Sequence, residues 1–225
     1  MKITITKDFR CFKAGEVFDF SKISLKGMGF ITIVGENGCG KSSLLQALRG
    51  YKNDAPTNSL HESDFKKLAE HISVEQDYEK IFFFDAVKDN GNDFMVSYDA
   101  IEYLESGGFA NKNLSHGQSS LSNIARFVNK HESNIVPDKT LLVFDEMDNG
   151  LSLKNQSIYQ NFIWNMVLKY KCHVLVISHN PFLIQQSIVV YDFAKKEYTL
   201  AAQYIKEVTG YVLTEPIDKT EKTKE

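Results

Sequence analysis

The sequence predicts an α/β protein in which a mainly parallel β-sheet is flanked by helices. Four apolar runs lack the polar alternation of half-exposed strands, and they cover residues 30–34, 80–86, 140–146 and 173–179. Such runs are typical of strands that are covered on both faces. Stretches with helical spacing separate these runs, as they do where helices connect parallel strands. We therefore expect one layered α/β core.

Length and composition are those of an ordinary globular protein. The 225 residues are 43 % apolar and 24 % charged, which is enough to bury a sizeable core. A net charge of −3 argues against a surface coated for nucleic acid. Three scattered cysteines without pairing or metal spacing favour a reducing compartment. We therefore expect a cytoplasmic protein without a disulfide framework.

Neither a targeting segment nor a membrane span is expected. The opening stretch "MKITITKDFR" alternates like a strand and does not resemble a signal peptide. No apolar run approaches the roughly 20 residues that a helix needs to cross a bilayer. Any membrane role would therefore need a partner, without direct insertion of this chain.

The remaining elements complete a single domain over residues 1–215. Two N-terminal strands, "KITIT" and "EVFDF", are predicted to form an antiparallel sheet. A helix beginning at Lys41 should stop at Gly50, and "SDFKKLAEHI" (63–72) should form a short helix within a helical lobe at approximately 51–130. "IVVYDF" and "EYTLAA" are expected to pair as a final hairpin. The charged tail at 216–225 should be disordered.

The first chemical motif is "GENGCGKS", residues 35–42, which satisfies G-x-x-x-x-G-K-[ST] between a strand and a helix. Its glycines let successive N–H groups point at phosphate oxygens, and the helix N-terminus adds partial positive charge. Lys41 should reach the β- and γ-phosphates, Ser42 should ligate Mg²⁺, and Ser43 should support the α-phosphate. The predicted nucleotide-binding residues here are Gly35, Glu36, Asn37, Gly38, Cys39, Gly40, Lys41, Ser42 and Ser43.

Cys39 fills a variable position of this loop. We interpret it as a small residue that fits there. A loop made sensitive to oxidation is the less favoured alternative.

The second motif is "LLVFDE", residues 141–146, in which four apolar strand residues precede two acids. This Walker B pattern predicts that Asp145 holds the magnesium ion. Glu146 would take the proton from the attacking water, because substrate and metal already fix the geometry around a carboxylate in that place. The two motifs together predict a site that binds nucleotide phosphates with magnesium and activates an attacking water.

A third motif, "LSHGQ", lies between these two and directly precedes a helical pattern. With it, the chain resembles the ATP-binding-cassette (ABC) ATPases, whose signature is usually LSGGQ and from which only His116 departs. The resemblance implies an ABC-type P-loop NTPase core that forms a homodimer with ATP at the interface. The signature of one copy would cap the γ-phosphate bound by the other through Leu114, Ser115, His116, Gly117 and Gln118, with Ser115 donating its hydroxyl.

The same resemblance assigns further residues. A histidine after the strand that follows Walker B contacts the γ-phosphate in this family, and His179 in "VISHN" stands there. The predicted catalytic set is therefore Glu146, His179 and Lys41. ABC ATPases also carry a glutamine after the strand between P-loop and signature. By position this residue is Asp85, a candidate for water-mediated Mg²⁺ binding, whereas the competitor Gln76 precedes the strand.

The loop after Glu146 departs from the family pattern as well. Ser152 stands where an aspartate is usual, and this serine can hydrogen-bond across a dimer but brings no charge. Asp148 or Asn149 are candidates to compensate for the missing charge.

The compact helical lobe and the opening "FRCF" (9–12) resemble the SMC-, RecF- and overcoming-lysogenization-defect-like branch, and this resemblance predicts the biological role. Within this branch, Arg10 or Phe12 would contact the nucleotide, although Phe12 is more readily explained as core. This branch implies a soluble ATPase that controls a protein effector, or DNA, in repair or antiviral defence. Two alternatives stay open, namely the ATP-binding subunit of an ABC transporter and an ATP-gated clamp with negligible turnover.

Overall fold

The computed structural model describes residues 1–24, 30–52, 62–76, 78–85 and 134–210. Most of the predicted helical lobe, the signature motif and the charged tail lie outside these residues. None of the helices in the described part of the chain is long and apolar enough to cross a bilayer.

Within the described residues, the main sheet consists of β3 (Ile31–Val34), β5 (Lys80–Asp85), β6 (Thr140–Asp145), β7 (His173–Ile177), β8 (Val189–Asp192) and β9 (Glu197–Leu200). These six strands lie in the order β5-β6-β7-β3-β8-β9. Every pairing is parallel except that of β8 with β9, which form the predicted C-terminal hairpin. The prediction of a mainly parallel sheet flanked by helices is confirmed.

Both faces of this sheet are buried, which explains the continuous apolar runs. In β6, Leu141 and Val143 belong to one apolar cluster, whereas Leu142 and Phe144 belong to another on the opposite face. The first cluster includes α1 (Lys41–Tyr51), and the second includes α3 (Leu153–Leu168). Apolar residues are therefore required at all four central positions of β6, residues 141–144, and the sequence shows no alternation there.

A second, antiparallel sheet consists of β1 (Lys2–Ile5), β2 (Val17–Asp19) and β4 (Ile72–Glu75). These strands lie in the order β2-β1-β4. The pairing of β1 with β2 confirms the predicted N-terminal strands. The helical prediction for residues 63–72 was wrong at its end, because α2 (Glu62–Ala69) stops first and Ile72 pairs with Ile5 in the sheet.

Two short helices near the C-terminus were not predicted, namely α4 (Pro181–Gln186) and α5 (Ala201–Thr209). In α4, the Asn180 side chain accepts a hydrogen bond from the Phe182 N–H, and proline occupies the first helical turn. The expected strand "EYTLAA" ends at Leu200, because Ala201 already begins α5.

The predicted stop of α1 at Gly50 was also wrong, since the helix continues through Tyr51. A Cβ atom at Gly50 would lie 2.0 Å from the backbone oxygen of Phe65, which is in α2. Gly50 is therefore required for the close approach of two helices and does not end one of them.

We expect Gly50→Ala to destabilise the protein by roughly 1–3 kcal/mol, because the added methyl group forces α1 and α2 apart. Denaturant unfolding compared with Lys206→Ala, a change at an exposed position of α5, measures this cost. Equal midpoints for the two variants would contradict the packing role of Gly50.

Candidate functional site

The P-loop joins β3 to α1 and encloses the side chain that the sequence predicts to bind phosphate. Lys41 Nζ donates hydrogen bonds of 2.8 Å to the carbonyl oxygens of both Gly35 and Glu36, and it lies 3.7 Å from Cys39 Sγ. The side chain is buried, although its ammonium group is polar and charged. The loop therefore holds the Lys41 charge at the start of α1, beside the helix N-terminus.

Gly40 shows why this loop needs glycine. Its φ of 107° lies in the left-handed region, which side chains disfavour. A Cβ atom there would lie 2.6 Å from both Cys11 Sγ and Phe12 Cζ. The N-terminal turn at residues 9–12 thus packs directly against the phosphate-binding loop.

A hydrogen bond joins the two halves of the predicted magnesium site. Ser42 Oγ donates to Asp145 Oδ1 over 3.1 Å, so the first turn of α1 meets the carboxyl end of β6. A hydroxyl and a carboxylate oxygen are hard ligands of the kind that Mg²⁺ prefers. Within the described ranges, no three carboxylate, imidazole or thiol groups converge as a preformed metal site. The pair therefore fits a metal that reaches the protein with nucleotide phosphates as additional ligands.

The structure separates the two candidates for the missing glutamine. Asp85 is level with Asp145 in the parallel register of β5 and β6, and both line a narrow cleft with Gln46 and Arg49. Gln76 precedes β5, at the opposite end of the strand, where its side chain accepts a hydrogen bond from the Tyr78 N–H. Only Asp85 lies at the edge of the sheet that carries the P-loop, and its role toward Mg²⁺ stays a prediction.

The predicted base and the predicted γ-phosphate sensor lie together. Glu146 follows β6 and His179 follows β7, and Glu146 Oε1 lies 3.7 Å from His179 Nε2. Both side chains are partly exposed. Glu146 has a φ of 51°, an uncommon value for a residue with a side chain. Its N–H donates to the Ile177 carbonyl over 3.1 Å, which fixes this backbone to the end of β7.

Behind this pair lies a buried contact that the sequence analysis did not find. Ser178 Oγ donates a hydrogen bond of 2.6 Å to Asp148 Oδ2 and accepts one of 2.9 Å from the Asn180 N–H. Asp148 and Ser178 are both buried, and this burial raises the pKa of the Asp148 carboxyl group. Ser178 carried a signal, since it is a polar residue that directly follows an apolar strand.

Ser152 caps a helix in this structure. Its Oγ accepts a hydrogen bond of 3.3 Å from the Asn155 N–H at the start of α3. A serine is sufficient for this local role, and a function across a dimer stays a prediction.

Arg10 and Phe12 have different environments. Phe9 and Phe12 exchange backbone hydrogen bonds across a tight turn in which Arg10 has a φ of 48°. Phe12 is buried in the core, as favoured from the sequence. Arg10 Nη1 donates to Ser43 Oγ over 2.7 Å and to Gln46 Oε1 over 3.1 Å, which places its charge on the first turns of α1.

The signature residues Leu114, Ser115, His116, Gly117 and Gln118 lie outside the described residues. Their role across a dimer interface therefore stays a prediction from the sequence.

Comparison with known proteins identifies the family. The sequence model described as ABC transporter matches residues 21–149, more than half of the chain. This chain belongs to the ABC transporter family. The match extends from before the P-loop to the loop after Walker B, so it contains the three central motifs in order.

One curated relative of this chain is the molybdate import ATP-binding protein MolC of Haemophilus influenzae. The two are 27 % identical over an alignment of 165 residues, and the match covers 67 % of this chain and 62 % of the relative. The chain therefore spans less than two thirds of the length of the curated relative that it matches.

Solved structures agree in fold. One is a metal-chelate type ABC transporter in an inward-facing conformation, with a TM-score of 0.51, 18 % identity and coverage of 93 % of this chain and 88 % of the other. Another is CbiO1 of Clostridium perfringens, part of the transporter complex CbiONQ, with a TM-score of 0.47, 16 % identity and coverage of 87 % and 84 %. At 18 % identity the first structure supports the ABC-type P-loop fold alone.

These findings confirm the predicted ATPase family but not the predicted branch. The family model and the curated relative are those of transporter proteins, and the SMC-, RecF- and overcoming-lysogenization-defect-like branch is not shown. The transporter alternative is therefore favoured over the DNA-repair or defence interpretation.

We expect Gly40→Ala to weaken nucleotide binding and to destabilise the fold more than Gly15→Ala does. Both glycines have positive φ, at 107° and 92°, so each alanine carries a backbone cost of about 1–2 kcal/mol. Only the Gly40 methyl group also clashes, with Cys11 and Phe12, whereas Gly15 faces open space. Titration with a fluorescent ATP analogue and denaturant unfolding would compare the two variants. Equal losses in both would contradict a specific role for the Gly40 contact.

Proposed function

We propose that this chain is the ATP-binding subunit of an ABC transporter, hydrolysing Mg-ATP to ADP and phosphate between two copies of itself. One observation carries the proposal: Lys41, the Ser42–Asp145 pair and the Glu146–His179 pair all lie at the carboxyl edge of one parallel sheet. Ligands of open α/β folds bind at this edge. The family match and the named relative supply the transporter context.

Lys41 is the main positive charge of the proposed phosphate site. Its ammonium group is already held by the Gly35 and Glu36 carbonyls, and it would exchange these bonds for β- and γ-phosphate oxygens. The surrounding N–H groups and the N-terminus of α1 add to its field. The loop therefore needs little rearrangement to bind a triphosphate.

Ser42 and Asp145 would hold the magnesium ion, which neutralises charge on the phosphate oxygens when it is bound. Their mutual hydrogen bond aligns both oxygen atoms before any metal arrives. Asp85, level with Asp145 in the sheet, would act through water on the same side.

Glu146 would remove the proton from the attacking water. Its carboxylate is partly exposed, so water can reach it, and His179 lies beside it at 3.7 Å. We propose that His179 orients the water and the γ-phosphate, while Glu146 accepts the proton.

Arg10 would contribute to nucleotide binding beside the first turns of α1. Its contacts with Ser43 and Gln46 place a guanidinium group near the expected α-phosphate position. Ser115 of a second copy would complete the γ-phosphate site, as the signature motif implies.

The proposed partner is a membrane-spanning transporter subunit. The relative MolC is named for molybdate import.

The Arg10 contact keeps a second candidate open, the soluble ATPase that controls an effector protein or DNA. This contact is the structural counterpart of the "FRCF" motif that suggested that branch. The two candidates share the ATP chemistry and differ only in their partner.

We expect Glu146→Gln to trap an ATP-bound dimer and to lower turnover by about 10²–10⁴-fold, because the general base is lost while phosphate binding is kept. Phosphate release and sedimentation velocity with ATP measure the two effects. Glu79→Gln, at the opposite edge of the sheet, is the control. A wild-type protein that dimerises on ATP without releasing phosphate would identify the ATP-gated clamp. A Glu146→Gln variant with normal turnover would exclude Glu146 as the base.

The trapped variant also identifies the partner. We expect tagged Glu146→Gln, captured with ATP from detergent extracts of the source cells, to retain an integral membrane protein. Capture from the soluble fraction serves as the comparison. Recovery of a soluble nuclease or of DNA, without a membrane protein, would replace the transporter proposal with the second candidate.

A further inference from the structure

Two loops carry the proposed hydrolytic residues, and one buried hydrogen bond joins them. Glu146 lies in the loop after β6, and His179 lies in the loop after β7. Ser178 Oγ, from the second loop, donates to Asp148 Oδ2, from the first, over 2.6 Å. We propose that Asp148 is a positioning residue that sets the geometry of Glu146 and His179 through Ser178. This inference rests on the proposed ATPase function.

The hydroxyl of Ser178 fixes both sides of His179. It donates to Asp148, and it accepts from the N–H of Asn180, the residue that follows His179. The Asn180 side chain accepts a hydrogen bond from the Phe182 N–H at the start of α4. The backbone at His179 is thus held between Ser178, which bonds to the Asp148 carboxylate, and Asn180, which bonds to Ser178.

On the other side, Asp148 is close in sequence to the proposed base. The Asn149 N–H donates to the Glu146 carbonyl over 3.0 Å, and the Leu151 N–H donates to the Asp148 carbonyl over 3.2 Å. These bonds fold residues 146–151 into consecutive turns. The left-handed φ of Glu146 leaves this turn little freedom. A displacement of Asp148 would therefore move Glu146 as well.

Burial makes the contact between Asp148 and Ser178 strong. Asp148 is 7 % exposed and Ser178 only 1 % exposed, so water does not compete for the bond. A distance of 2.6 Å is typical of a hydroxyl that donates to a carboxylate, which is a charge-assisted bond. Loss of either partner would leave the other buried and unsatisfied.

A neighbouring group shows that this bond is selective. The Tyr159 hydroxyl is fully buried and has no hydrogen-bond partner among the described residues. Burial and the charge of Asp148 both raise the pKa of Tyr159, so the two groups lie within electrostatic range. The Asp148 carboxylate nevertheless accepts its hydrogen bond from Ser178, the residue that precedes His179.

The hydrogen bond between Ser178 and Asp148 therefore sets the distance between Glu146 and His179. Glu146 Oε1 and His179 Nε2 lie 3.7 Å apart, which is just longer than a hydrogen bond. Asp148, Glu146, His179 and Asn180 line one cleft. A relative shift of the two loops would misplace a water bound between base and imidazole, while the P-loop would still bind ATP.

The test measures steady-state ATP hydrolysis in four full-length variants, Asp148→Ala, Ser178→Ala, Asp148→Asn and the double alanine variant. We expect each single alanine change to lower kcat about tenfold or more with KM for ATP within about twofold, because ground-state binding is untouched. The double variant should be no slower than the slower single variant, since both changes break one link. Asp148→Asn should recover most of kcat, because its amide oxygen accepts the same hydrogen bond.

The outcomes separate this inference from the proposed function. Wild-type protein without turnover would overturn the proposed ATPase function. Normal wild-type turnover with unchanged kcat in Asp148→Ala and Ser178→Ala would overturn the positioning role alone. So would additive losses in the double variant, or a rise in KM that accounts for the loss of activity.

Adding Asp148→Ala to the Glu146→Gln variant distinguishes a positioning role from general damage to the fold. If Asp148 acts through Glu146 and His179, adding Asp148→Ala to this background should leave the residual rate within about twofold. A further tenfold loss would show that Asp148 acts elsewhere. Unfolding midpoints are measured alongside, and Ser178→Ala carries the test if Asp148→Ala does not fold.

Discussion

The parallel register of β6 with its neighbours is the constraint on which the site depends. It sets Asp85, Asp145 and Ile177 level at one edge of the sheet. Since both faces of the sheet are covered by apolar clusters, this register cannot slip without exposing core residues. Polar groups that follow the strands therefore meet at the same edge, although they are far apart in sequence.

The phosphate loop depends on a second layer of support. Cys11 and Phe12 pack against Gly40, and Arg10 bonds to Ser43 and Gln46. The N-terminal sheet therefore supports the phosphate site, because the turn at residues 9–12 contacts the start of α1, where the phosphates are proposed to bind. The conformation of Lys41 and the position of this turn are consequently coupled.

The sequence predicted elements and motifs whose signals are local. The P-loop, the buried strands and the acids after β6 were recognised because strand, glycine loop and helix are contiguous. Strand β4 was missed because Ile72 continues the apolar spacing of α2, and only pairing with β1 makes it a strand. The prediction that Gly50 ends α1 was wrong, because this glycine is required by a backbone atom of another helix that lies close to it. The bond from Ser178 to Asp148 spans 30 residues, and no local pattern announces it.

The position of β3 in the sheet affects when the phosphate-binding loop can fold during synthesis on the ribosome. This strand leads into the P-loop, yet its neighbours in the sheet are β7 and β8, both from the last quarter of the chain. Phe193, just after β8, donates its N–H to the Val34 carbonyl and packs against Gly35. Synthesis proceeds from the N-terminus, so the loop is translated early but obtains its lateral support late. A nascent chain therefore contains the complete glycine motif long before β7 and β8 are available to hold the loop in a conformation that can bind a nucleotide.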